Sequence, residues 1–172
     1  MKEKKSLPLI LVIGLPIVYI FANFMLNSHL VIKGYVISFS AFLYPLTFLI
    51  SGLIIRKTNY KDALRIMVVA LGSGALSYVI GWSVLDTLNP WGMICSFISF
   101  LICQLIFIYV FDFLIKMKKD SFFPIWFLAF GVNAIDQAFF GLLLEGQYLS
   151  ASIVIRALYI LLTAIVLAKN VK

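Results

Sequence analysis

Charge is scarce in this chain. Only 12% of its 172 residues are Asp, Glu, Lys or Arg, about half the share of an average soluble domain. Cysteine is scarcer still. Cys95 and Cys103 stand eight residues apart, roughly 12 Å along a helix and too far to bridge. That excludes a disulfide scaffold and leaves both as packing residues. His29 is the single histidine, so no Cys/His cluster exists to hold a metal, and a lone His in a loop reads as solvated. There is no HExxH, no GxSxG and no phosphate-cradling glycine loop. An enzyme or an ATPase is therefore not expected, and no cofactor is implied. Polar linkers are missing as well, which makes residues 1–172 a single domain.

What is there is apolar: 63% of the residues. Six runs stand out, at about 7–26, 35–55, 64–86, 91–115, 123–145 and 148–168, each near the ~20 residues a helix needs to cross a bilayer. MKEKKS before the first run resembles a signal peptide, but no small-residue cleavage site follows it, and the run is kept as the first span. The expected fold is all-α and integral to the membrane, a bundle of six transmembrane helices. The net charge of +7 does not point to nucleic acid, because the basic residues cluster between apolar runs. Twelve of them fall on the side of Lys2, Arg56, Lys61, Lys116 and Lys172, against Lys33 alone on the other. The positive-inside rule then places both termini in the cytoplasm, in a multi-pass protein of a bacterial inner or plasma membrane.

Against that background the polar residues inside the spans carry the information. The fifth run holds Asn133, Asp136 and Gln137, at helical spacings that put all three on one stripe, with Trp126, Phe130 and Gly141 as its extension. A carboxylate at mid-membrane costs roughly 2.5–3.5 kcal/mol on insertion scales unless it is compensated. The sixth run holds Arg156, on a stripe with Ser152, Tyr159 and Thr163. Counting 1.5 Å per residue from each end puts Asp136 about 20 Å and Arg156 about 18 Å from the inner face, nearly level. Gln104 in the fourth run comes out lower, about 10 Å from the inner face. That run also carries Ser96, Ser99 and Cys103 on one stripe, and Asp112 one turn before Lys116 for an i,i+4 ion pair at the interface. Ser40, Tyr44, Thr47 and Ser51 form a polar stripe on the second run, and Ser73, Ser77 and Gly81 give the third a small-residue face for close packing. Candidate solute-binding residues are Asp136, Asn133, Gln137, Gln104, Arg156 and Tyr44. The competing reading of the Asp136–Arg156 pair is a buried lock between two helices, and interhelical glutamine bonds are ordinary glue.

Four stretches, in order FSAFLYPLTFLISGLIIRK, SFISFLICQLIFIYVFDFLIK, FGVNAIDQAFFGLLL and VIRALYILLTAI, together resemble the queuosine-precursor transporter family. Pro45, Arg56, Gln104, Asn133, Asp136 and Arg156 match positions of that family's pattern. Two family acids are absent: Ser51-Gly52 stands where Thr-Asp is usual, and Phe107 where an Asp follows the Gln. The resemblance implies uptake of a planar 7-deazaguanine, such as 7-cyano-7-deazaguanine or queuine, by a small secondary transporter. Asp136 would then accept from the N–H and NH₂ edge of the base. The expected partners are that solute and the lipid bilayer, with a homo-oligomer left open. Two alternatives stand beside it. One is the substrate-binding membrane subunit of an energy-coupling-factor importer, although LVIGLPIVYIFANF lacks the Ala-x-x-x-Ala docking stripe such subunits often carry. The other is a membrane scaffold that transports nothing.

Overall fold

In the computed structural model, residues 8–25, 29–32, 35–38, 40–84, 90–143 and 149–169 are described. Six helices dominate: α1 (Leu9–Phe24), α2 (Ser40–Lys57), α3 (Tyr60–Val84), α4 (Pro90–Lys116), α5 (Phe122–Leu143) and α6 (Leu149–Lys169). Lys2, Lys33 and Lys172 lie outside the described residues.

Three segments, Tyr60–Val79, Ile94–Lys116 and Phe122–Phe139, are long and apolar enough to cross a membrane, and α1 is apolar but shorter. The distribution of side chains agrees with a membrane protein. Ile10, Val68, Leu76, Phe113, Phe127 and Leu158 point outward, while Thr47, Ser51, Ser99, Gln104, Asp136 and Arg156 are buried. A soluble domain buries its apolar residues and shows its polar ones; here the outer surface is the apolar one, as a lipid solvent favours.

Going round the bundle, the helices follow the order α1, α2, α6, α5, α4, α3, with α2 also touching α3 and α4. α5 packs on α4 and α6, so α2 and α5 face each other across the interior those two helices bound. Tyr19, Phe48, Phe100, Phe107 and Phe111 are the large side chains of the core. Backbones come closest where side chains are missing. A Cβ on Gly74 would stand 2.7 Å from the Tyr19 ring, which fixes α3 against α1. That contact falls beside the Ser73–Ser77 stripe, whose hydroxyls instead bond back to Val69 and Gly74 carbonyls. A Cβ on Gly52 would meet Leu167 at 2.6 Å, so α2 and α6 approach most closely there.

The connections on the basic side are tight. Asn59 caps α3: its Oδ1 accepts the Asp62 N–H at 3.1 Å, and its amide donates to the Asp62 carboxylate at 3.0 Å. α4 ends with Lys118 in the left-handed region at φ 53. The Lys119 N–H then reaches the Leu114 carbonyl at 2.9 Å and the Lys118 N–H reaches Ile115 at 3.0 Å. These two bonds close the helix as glycine usually does, with a lysine in its place. The turn brings Asp120 back onto the end of α2.

One element differs from expectation. Residues 29–32 and 35–38 form an antiparallel pair, β1 (His29–Ile32) and β2 (Tyr35–Ser38), in register His29 with Ser38 through Ile32 with Tyr35. The second helix therefore starts at residue 40, whereas the apolar run is expected to begin at about 35. HLVI and YVIS are rich in β-branched and aromatic residues on either side of Lys33-Gly34, a two-residue spacing suited to a hairpin. The strand β2 lies against α6 and the start of α2.

Candidate functional site

The two charges deep in the bundle meet. Arg156 on α6 donates to the Asp136 carboxylate on α5, with side chains 10% and 0% exposed. Neither group stands on that bond alone. The other carboxylate oxygen accepts from the Ser99 hydroxyl of α4 at 2.5 Å. Gln137, one residue on from Asp136, sets its side-chain amide against the guanidinium; with the amide oxygen turned inward, the orientation that satisfies both groups, that oxygen lies 2.7 Å from Nε. The face of the Tyr44 ring on α2 lies under the guanidinium, 5.5 Å from ring centre to Cζ. Four helices thus converge on one arginine and one carboxylate. An unpaired charge there would carry a desolvation penalty of several kcal/mol, and this arrangement offsets it with charge, hydrogen bonds and a ring face.

Asn133 is buried one turn along α5. Its amide donates to the Ala129 carbonyl at 3.0 Å, while its oxygen has no partner. The hydroxyl of Tyr44 is also buried and without one. The ring is held edge-on by Phe48 and Phe100, with centroids 5.8 and 6.2 Å away. Beside the pair, Cys103 lies 3.9 Å from the Ser99 hydroxyl and donates its thiol to the Val132 carbonyl at 3.6 Å.

Gln104 belongs to a different layer. Its amide nitrogen donates to the Thr47 hydroxyl and its oxygen accepts from Ser51, both at 2.8 Å. Thr47 in turn donates to the Tyr44 carbonyl at 2.6 Å. This clasp ties α4 to α2, five residues (about 7.5 Å) below Ser99. A third group sits in the other direction, where Ser96 donates to Asn23 of α1 at 2.5 Å. The polar stripe of α4 therefore serves three neighbours in turn: α1 through Ser96, α5 through Ser99 and α2 through Gln104.

Of the six candidate residues, Asp136, Arg156, Gln137 and Tyr44 are brought into one contact cluster. Asn133 faces the interior beside it, and Gln104 forms the clasp below. Ser99 joins the cluster although its stripe alone did not single it out. The aromatic extension of the α5 stripe is corrected. Phe130 is 46% exposed and stacks on Trp126 at 5.6 Å, away from the cluster. Its position six residues before Asp136 puts it about 120° round the helix. The two positions where the resembled family has acids are filled by packing. Gly52 is closed off by Leu167, and Phe107 is fully buried between Phe48 and Phe111, centroids 5.3 and 5.5 Å away. No cluster of metal-ligating side chains occurs among the described residues.

At the C-terminal end of α2, Arg56 donates to the Asp120 carboxylate at 2.8 Å and its carbonyl at 3.3 Å, over the ring of Phe111. Lys116 and Asp112 form the expected i,i+4 pair at 2.5 Å. Compared with protein-family profiles, with curated proteins and with solved structures, the chain matches none of them.

Proposed function

We propose that this chain is a six-span membrane transporter, both termini cytoplasmic, that imports an uncharged, planar, purine-like solute of the queuosine-precursor class. The observation that carries the proposal is the cluster around Asp136 and Arg156. It is charge-balanced, buried and joins four helices, and it has buried polar groups beside it that no neighbour satisfies. Charges kept inside a membrane face a bundle interior or a pathway and mark solute or ion routes. The order of the four resembling stretches supports the same class. Asp136 is the carboxylate available for coupling in that cluster, since Gly52 and Phe107 replace the others. The direct test is thermal stabilisation and uptake against a panel of 7-deazaguanines, purines and vitamins. Stabilisation and uptake confined to the deazaguanines is the expected result; a response to vitamins alone would refute the substrate class. Reporter fusions at residue 58 and at the C-terminus should report cytoplasmic, and one at residue 88 external.

One observation favours a second reading. The guanidinium of Arg156 already has two side-chain acceptors, the Asp136 carboxylate and the Gln137 amide oxygen, as a structural lock between α5 and α6 requires. A scaffold of that kind binds no solute, and the same panel separates the two.

A further inference from the structure

Buried side-chain polar atoms are nearly always paired, and an exception asks for a reason. The Tyr44 hydroxyl and the Asn133 Oδ1 are two such exceptions, in residues each 4% exposed. Both belong to the layer of the Asp136–Arg156 pair. The Tyr44 ring carries the guanidinium of Arg156 on its face. Asn133 lies on α5 between two fixed directions. Val132 is turned to α4, where its carbonyl accepts from Cys103, and Gln137 is turned to α6, where it accepts from Arg156. At 100° per residue the Asn133 side chain projects between them, into the interior that α2 closes from the opposite side with Tyr44.

The groups around them are already engaged. Asp136 has Ser99 and Arg156, and Arg156 has Asp136 and Gln137. Asn133 has committed its amide donor to Ala129. What remains is one hydroxyl and one carbonyl acceptor, beside a pair whose charges cancel. Resting on the reading of this cluster as a solute site, we infer that Tyr44 and Asn133 are its specificity-determining residues. The occupant is a neutral solute that offers a hydrogen-bond donor to Asn133 and an acceptor to Tyr44, as the N–H and C=O of a cyclic amide do. The Asp136–Arg156 pair is then the charge-balanced wall of the site. A solute with net charge would find no counter-charge left to compensate its desolvation.

Two variants test this. Tyr44→Phe deletes only an atom that is unsatisfied in the empty protein and should not lower its melting temperature. Asn133→Leu deletes the unsatisfied oxygen together with the amide that donates to the Ala129 carbonyl, two opposed changes that should leave the melting temperature nearly unaltered. Both should weaken solute binding. The probes are 7-cyano-7-deazaguanine, its O6-methyl ether (which lacks the ring N–H and the carbonyl), hypoxanthine and the anion orotate, measured on purified full-length protein. The wild type should bind the two cyclic amides and prefer 7-cyano-7-deazaguanine to its ether by at least tenfold. In each variant affinity for the cyclic amides should fall about tenfold and the preference should shrink with it. Hypoxanthine binding without 7-cyano-7-deazaguanine binding would remove the proposed substrate and leave the two residues' role standing. Cyclic amides bound equally well by wild type and variants would overturn that role and leave the transport reading standing. Orotate as the best ligand would overturn it as well. So would variants that melt higher while no probe binds, because the orphaned atoms would then be tolerated defects.

Discussion

Two arginine–aspartate pairs hold this bundle together, and their bare numbers look alike. The side chains are 10% and 0% exposed in Arg156–Asp136, and 9% and 14% in Arg56–Asp120. Their surroundings differ. Arg156 has two side-chain acceptors, Asp136 and Gln137, and a phenol ring below it, and its aspartate takes a further bond from Ser99. Arg56 has one aspartate and that residue's carbonyl, rests on Phe111, and leaves its Nε without a partner. Place in the bundle accounts for the contrast. Arg56 and Asp120 lie at a helix end, where the carboxylate keeps some exposure although the Arg56 Nε is buried. In the bundle interior the protein supplies the partners of both charges itself. Fractional exposure measures neighbours, whereas the cost of a missing partner is set by what lies beyond them.

The largest consequence concerns the inner pair. Asp136→Asn or Arg156→Gln alone leaves one buried charge without its counter-charge and should destabilise by about 3–5 kcal/mol. The double change removes both charges and should recover most of that loss. Melting temperatures and uptake rates for wild type, both singles and the double settle the role of the pair. Recovered stability with absent uptake fits a solute site. Recovery of both would make the pair a lock and nothing more.

Next in size is the Gln104 clasp, which carries no charge. Gln104→Met keeps the volume and removes two interhelical hydrogen bonds, to Thr47 and Ser51. A loss of about 1–2 kcal/mol is expected, with solute affinity within twofold of wild type. A tenfold loss of affinity would move Gln104 into the site.

The ranking follows from details that the sequence reveals unevenly. Helix number and approximate helix bounds are legible, because an apolar run of about twenty residues between basic clusters leaves a helix as the economical reading. Asp136 and Arg156 are legible for the same reason: a charge inside such a run stands out. The hairpin is not. Tyr35–Ser38 is apolar and abuts the second span, so hydropathy absorbs it, and the two-residue Lys33-Gly34 spacing is a weaker signal than the run. Ser99 is hidden because serine is common in membrane helices as ordinary glue. The lower layer of Gln104 is legible too: counting residues puts it about 10 Å below Asp136, and the structure gives it to the clasp with Thr47 and Ser51. Phe130 shows the limit of a stripe, since small angular offsets accumulate with each turn. Pairing partners come from the order of helices around the bundle, which no local pattern encodes.

The outer member of the comparison should respond less. Arg56→Gln or Asp120→Asn breaks a partly buried pair whose remaining charge can reach solvent at the helix end. About 1 kcal/mol is expected, between the values for exposed pairs and for hydrogen bonds to buried charges. Added salt should reduce the difference between wild type and variant here and leave the Asp136→Asn difference nearly unchanged, because screening acts only where ions can approach. A loss as large as that at the inner pair would contradict the dependence on place in the bundle.

The smallest effect belongs to Lys116 and Asp112, one turn apart on α4 and joined at 2.5 Å. By distance alone this pair matches the others. Its lysine side chain, however, is 65% exposed, and it must give up rotamer freedom to hold one geometry in water, which cancels most of the attraction. The ring of Tyr60, 5.1 Å from the ammonium, adds a contact but no second charge. Lys116→Gln should therefore leave the melting temperature unchanged within error, at low salt and at high. Measuring it beside Arg56→Gln and Arg156→Gln gives three Asp–cation pairs of similar length at three levels of enclosure. If stability loss tracked distance, all three would fall alike; a flat response at Lys116, a modest one at Arg56 and a severe one at Arg156 would show that enclosure decides.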